Sequence, residues 1–179
     1  MKNKILLSVF GFFVCINLNA QDEKTKKQSP YFAIQAAYNT GIGNVSGLGA
    51  NSGQLYRLRL SGGIIYDSRI YAGIGYGLEA YHNPGFNFMP VVMEGRYFLN
   101  NHSKSLFFSG GVGYLIPAGP EFNSGTYFHA GVGYRFYKGK NSSALFSFGH
   151  EWHQANVNFD EISNLWLRSL SFSITYLFE

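Results

Sequence analysis

From residue 31 onward, apolar and polar positions alternate with a period of two, interrupted by clusters of Gly, Asn, Pro and Ser. The alternation marks eight segments, roughly 31–40, 55–66, 70–82, 88–98, 105–116, 126–136, 143–154 and 166–178. No stretch past residue 30 repeats every 3.6 residues, so the pattern predicts an all-β chain. Each segment runs about ten to thirteen residues, long for a globular strand. That length suits a tilted strand crossing a bilayer.

The two faces differ in kind. In 70–80, Ile70, Ala72, Ile74, Tyr76, Leu78 and Ala80 oppose Tyr71, Gly73, Gly75, Gly77 and Glu79. In 126–136, Phe128, Ala130, Val132, Tyr134 and Phe136 oppose Tyr127, His129, Gly131, Gly133 and Arg135. The last segment sets Leu170, Phe172, Ile174, Tyr176 and Phe178 against Ser169, Ser171, Ser173 and Thr175. A soluble barrel is apolar inside and charged outside; a transmembrane barrel reverses this. The polar face here is too small and glycine-rich to face water, but it suits the narrow interior of eight strands. The pattern therefore predicts an eight-stranded antiparallel up-and-down transmembrane β-barrel.

The same reading accounts for "AGIGY" at 72–76, "GGVGY" at 110–114 and "AGVGY" at 130–134. The glycines of each Gly-x-Gly point inward and make room for large side chains from neighbouring strands. A dinucleotide-binding loop needs G-x-G-x-x-G between a strand and a helix. "GIGYGL" has neither that spacing nor a helix after it.

Composition agrees with a surface that does not face water. Charged residues make up 13% of the chain, against about 25% in ordinary soluble domains, and aromatics reach 18%. The net charge of +4 falls to +2 without Lys2 and Lys4, too little to indicate nucleic-acid binding. Those two lysines precede an apolar run from Ile5 to Leu18 and then "LNA", the layout of a cleaved secretory signal over residues 1–20. The single cysteine, Cys15, falls within it, so the mature chain is expected to lack disulfides. Residues 21–30, with Lys24, Lys26 and Lys27, read as a flexible periplasmic segment, and 31–179 as the barrel. Lys104, Lys138 and Lys140 fall in candidate turns.

Exported barrels with an even strand count keep both chain ends in the periplasm, with short turns there and longer loops outside. On that rule 67–69, 99–104 and 137–142 are periplasmic, and 41–54, 83–87, 117–125 and 155–165 are outside. A three-residue turn at Asp67–Arg69 pairs Tyr66 with Ile70 and sets Arg57 opposite Glu79, because only an odd-length turn keeps like faces together.

With its leader, eight alternating segments, "MPVVMEGRYFL" and the final "SFSITYLF", the chain resembles the small outer-membrane β-barrel family, which includes the membrane domain of outer membrane protein A and porin-family proteins. The resemblance covers residues 30–178. It implies residence in the cell outer membrane, contact with outer-membrane lipid and lipopolysaccharide, and a terminal strand read by the outer-membrane assembly machinery through a closing aromatic. Here Phe178 is penultimate and Glu179 last.

Candidate chemistry is sparse. "HEWH" at 150–153 is one residue short of the zinc motif H-E-x-x-H. On a strand, His150 and His153 point to opposite faces, so no metal site is expected. Lipid A deacylases share this fold and carry a His-x-Ser dyad; the nearest match, His153-Gln154-Ala155, has alanine where the nucleophile would stand. No enzyme activity and no cofactor is expected. The inward charges, Arg57, Arg59, Glu79, Glu94, Arg96, Arg135 and Glu151, with His129 and His153, read as an ion-pair network filling the barrel or as a selectivity ring in a pore. On the lipid face, His150, Trp152, Trp166 and Arg168 cluster near the outer ends of the last two segments. If 142 pairs near 178, Trp152 lies across from Arg168, as an interfacial anchor or a lipopolysaccharide contact. The expected function is a structural or surface-interaction barrel. A narrow channel for small solutes is the first alternative and a lipid A-modifying acyl hydrolase the second.

Overall fold

The computed structural model describes residues 28–43, 53–82, 85, 87–119, 122–159 and 162–179. They form eight antiparallel strands: β1 (Gln28–Gly41), β2 (Gln54–Tyr66), β3 (Ile70–Tyr81), β4 (Asn87–Phe98), β5 (Ser105–Pro117), β6 (Phe122–Lys138), β7 (Ser142–Phe159) and β8 (Ile162–Phe178). Each strand pairs with its neighbour in sequence, and β8 closes onto β1. The expected leader and residues 21–27 lie outside the described residues.

The turn between β2 and β3 sets the first register. Asp67 and Ser68 adopt left-handed backbone, with φ of 52° and 54°, and Arg69 N–H donates to the Tyr66 carbonyl at 3.2 Å. Tyr66 then pairs with Ile70 and Arg57 with Glu79, as the odd length of the turn predicts. Around the ring, paired residues run Phe32, Gly62, Ile74, Met93, Val112, Phe128, Trp152, Arg168. The next strand is β1 again, but now at Ile42, whose N–H donates to Arg168 O at 2.8 Å. The row has climbed ten residues, from Phe32 to Ile42, in one circuit. That stagger tilts the strands and, with eight of them, leaves a bore that side chains can fill.

The faces separate as the alternation predicts. Leu58, Ile74, Leu78, Leu106, Val112, Phe128, Ile174 and Phe178 are exposed on the outside. Arg57, Arg59, Glu79, Glu94, Arg96, Arg135 and Glu151 are buried inside. Inward glycines take the close approaches. A Cβ on Gly75 would stand 2.9 Å from the Arg59 side chain, and one on Gly133 would collide with the Phe107 ring.

Several strand boundaries differ from the alternation. β1 starts at Gln28, inside the segment expected to be flexible. β6 runs from Phe122 to Lys138, so Phe122–Gly125 are strand and Lys138 closes a strand. β7 and β8 continue to Phe159 and from Ile162, so the expected 155–165 loop shrinks to residues 160–161. β8 thus extends well past Gly41–Ser169, its last register pair with β1. Outside the lipid layer the outward face no longer has to be apolar. The period-two signal therefore stops before the hydrogen-bond ladder does.

The inward glycines should be less tolerant than the outward ones. Gly133→Ala, which puts a methyl 2.6 Å from the Phe146 carbonyl and against Phe107, is expected to lower stability by about 1–3 kcal/mol. Gly110→Ala, whose methyl stands 3.6 Å from the nearest atom, is expected to change it by less than about 1 kcal/mol. Urea midpoints in phospholipid vesicles decide, and equal shifts would contradict the assigned faces.

Candidate functional site: the filled lumen

Inside the barrel, three guanidinium groups and three carboxylates alternate in one unbranched chain. Arg96 lies 3.2 Å from Glu94, Glu94 3.9 Å from Arg59, and Arg59 3.4 Å from Glu79. Glu79 lies 3.5 Å from Arg57, and Arg57 2.7 Å from Glu151. The strands bring these groups together by register and bore: Arg57 and Arg59 on β2 face Glu79 on β3, Glu94 and Arg96 stand two apart on β4, and Glu151 reaches across from β7. The six side chains are nearly inaccessible to solvent. A buried charge is tolerated when it is paired and hydrogen-bonded, and equal numbers of each sign leave the chain neutral.

Neutral groups satisfy much of what remains. Asn39 Nδ2 donates to Glu151 at 2.6 Å, and Arg57 donates to the Tyr127 hydroxyl at 3.0 Å. The Arg59 guanidinium sits 4.9 Å from the centre of the Tyr127 ring. His153 Nε2 is 2.9 Å from Glu79 and its Nδ1 is 3.0 Å from the Tyr81 hydroxyl. In the Nε2–H tautomer the ring donates to the carboxylate and accepts from the phenol, so it adds no charge. Gln35 donates to Ser173 and Thr175 at 3.2 Å each, and Ser147 and Ser173 share a 2.5 Å bond. A cavity of about 20 Å³ remains beside Gln35, Arg96, Ser109, His129 and Ser147, room for roughly one water.

Arg135 does not join the chain. It is fully buried nearer the short turns, where its Nη2 donates to the carbonyls of Asn100 at 3.3 Å and His102 at 2.6 Å. Its guanidinium lies 4.5 Å from the Phe98 ring centre. His129 is in the lumen, 5.6 Å from the Tyr127 ring, with no hydrogen bond to Nδ1.

Two apolar plugs flank the charges, a feature that the face reading missed. Tyr31, Ile65, Tyr71, Phe98, Phe107, Leu145 and Leu177 pack together toward the short turns. Leu55, Tyr81, Phe88, Leu115, Tyr127, Leu165 and Leu167 do so toward the opposite end. These residues share the inward parity of the charges, so the signal was present. It was masked because each strand contributes only one to three of them among Gly, Ser and charge.

His150 and His153 point to opposite faces, as strand parity requires: His153 is wholly buried and His150 packs on Trp152, ring centres 3.9 Å apart. Glu79, Glu151 and His153 do bring ligand atoms within 4.8 Å of one another. Arg57 and Arg59 already neutralise those carboxylates, so a dication there would face two guanidinium groups at close range. Ala155, two residues after His153, is buried and carries no hydroxyl. On the lipid face Trp152 pairs in register with Arg168. Its indole stacks on His150 and Phe128, and Arg168 is exposed.

No protein-family model and no curated protein matches the chain. Solved structures do. Neisserial surface protein A superposes with a TM-score of 0.60 at 13% identity, covering 84% of this chain and 98% of that one. The outer membrane enzyme PagL superposes with a TM-score of 0.50 at 17% identity, covering 79% and 97%. At such identities the likeness is one of fold. The fold is that of the small eight-stranded outer-membrane β-barrels.

The charge chain should behave as a unit. Glu79→Gln, which deprives both Arg57 and Arg59 of a shared carboxylate, is expected to destabilise by about 3–5 kcal/mol. Replacing Arg96 by Met and Glu94 by Gln together leaves four balanced charges. That double change is expected to lose at least about 1 kcal/mol less than the sum of its singles. Additive losses in urea unfolding would mean that the groups are not coupled.

Proposed function

We propose that this protein is a closed, non-conducting barrel of structural or surface-interaction type, with residues 42–53, 82–86, 118–121 and 160–161 facing outward and 67–69, 99–104 and 139–141 in the periplasm. The observation that carries this reading is the lumen: a neutral chain of six paired charges between two apolar plugs leaves no continuous path for ions. A pore of the selective kind needs accessible charge along a wet bore. Purified protein in planar bilayers is expected to add no steady conductance to the lipid baseline. Stepwise, ohmic openings would overturn the reading in favour of a narrow channel.

The same lumen speaks against a lipid A-modifying hydrolase. Both nitrogens of His153 are engaged with Glu79 and Tyr81, and among the described residues it bonds to no serine, threonine or cysteine that it could activate. Assembly through β8 fits Phe178, which is exposed on the lipid face, while the Glu179 carboxylate accepts from Tyr71 and Ser143.

Arg168 supports one further contact, with lipopolysaccharide phosphate. Its exposed guanidinium sits beside Trp152 near the outer end of the barrel and pairs with no carboxylate among the described residues. Arg168→Gln is expected to speed urea unfolding in lipopolysaccharide-containing bilayers and to leave it unchanged in neutral phospholipid. Identical curves for the two proteins in both lipids would make Arg168 a simple interfacial residue.

A further inference from the structure

The two rims of the barrel carry opposite charge. The connections at the loop end, 42–53, 82–86, 118–121 and 160–161, contain no lysine or arginine and three acids, Glu121, Asp160 and Glu161. The turn end holds Arg69, Lys104, Lys138 and Lys140, against Asp67 and Glu179. The Glu179 carboxylate is turned inward, 3.0 Å from the Tyr71 hydroxyl and 2.8 Å from that of Ser143. It therefore does little to offset the cations outside.

Those four cations are spread over the three short turns of this rim, β2–β3, β4–β5 and β6–β7. Arg69 is in the β2–β3 turn and its carbonyl accepts from Phe98 N–H at 2.8 Å, at the end of β4. Lys104 ends the β4–β5 turn, Lys138 closes β6 and Lys140 lies in the β6–β7 turn; Lys138 Nζ donates to Asn101 Oδ1 at 2.5 Å. Arg69, Lys104 and Lys140 are exposed and pair with no carboxylate among the described residues. Just above them the wall presents Ile70, Tyr97, Leu99, Phe108, Phe136 and Tyr137 to lipid. Tyrosines at that height mark the bilayer interface, so the cations stand at headgroup level.

We infer that this basic rim is a binding surface for anionic phospholipid headgroups of the periplasmic leaflet. The inference rests on the orientation proposed above. Its physical basis is local charge: a cation held near an anionic bilayer surface multiplies its attraction about fivefold, and three unpaired cations, one at each short turn, each meet the headgroup layer. Their positions in short turns at the feet of β3, β5 and β7 fix them relative to the bilayer, so no ordering of a flexible tail opposes binding. The acidic opposite rim offers nothing comparable.

The test compares the full barrel in neutral phosphatidylcholine vesicles with vesicles containing about one-third phosphatidylglycerol, following urea unfolding. Anionic lipid is expected to slow unfolding of the natural protein about tenfold or more in dilute buffer, and the effect is expected to vanish near 1 M salt, where screening reaches about 3 Å. The triple variant Arg69→Gln, Lys104→Gln, Lys140→Gln touches only exposed, unpaired side chains and keeps the Lys138–Asn101 bond. It should fold and respond less than twofold. Should it fail to fold, Lys104→Gln with Lys140→Gln serves instead, with a partial loss expected. A variant that folds and keeps the full response to phosphatidylglycerol overturns the inference. Orientation is read separately in intact cells, using Cys15→Ser with either Ser103→Cys or Gly119→Cys and an impermeant maleimide. Labelling at Gly119→Cys alone is expected. Labelling at Ser103→Cys would overturn the orientation and with it the assignment to the periplasmic leaflet, whatever the vesicles show.

Discussion

Everything inside this barrel follows from the neutrality of one buried chain of charges. Eight strands staggered by ten residues leave a bore too narrow for bulk water and too wide for glycine and serine alone. Filling it with arginine and glutamate works only if each charge has an opposite neighbour, because an uncompensated charge in such a place costs several kcal/mol. The order Arg96, Glu94, Arg59, Glu79, Arg57, Glu151 meets that condition link by link. It also ties β2, β3, β4 and β7 together through the interior, and its β2–β4 and β2–β7 links join strands that share no edge.

Glycine and aromatic positions follow from this chain. Gly75 lies flat because the Arg59 stem crosses it, and Gly111 because the His129 ring does. The apolar plugs then complete the seal. Tyr31, Tyr71, Phe98 and Phe107 stack in series toward the short turns, while Tyr81, Phe88 and His153 interlock toward the loops. Tyr81, Tyr127 and Asn39 bridge the two kinds of packing, each giving one polar atom to the charges or to His153.

The barrel was legible in the sequence because lipid imposes a strict rule on one face, and a strict rule leaves a periodic trace. Strand number, facing and the Arg57–Glu79 pair follow from parity and turn length, while the Trp152–Arg168 pair follows once 142 is set against 178. Where lipid stops, the rule stops, and Ala155, Asn156 and Leu165 were read as loop although they continue the ladder. The lumen was half legible. Parity places Arg135 with the other inward charges, but its height along β6 puts it among turn carbonyls. Height inside a tilted barrel depends on stagger, and stagger is a property of the closed ring rather than of any one segment.

The neutral chain also decides how the barrel meets an electric field. A charge carried through 100 mV exchanges about 2.3 kcal/mol with the field. Three cations bound to three anions exchange, as a set, nothing at all. Any shift of that chain as one body is therefore invisible to voltage, and its six groups hold no gating charge. Only a rearrangement that separates the signs along the axis would feel a potential, and that is the motion the ion pairs oppose.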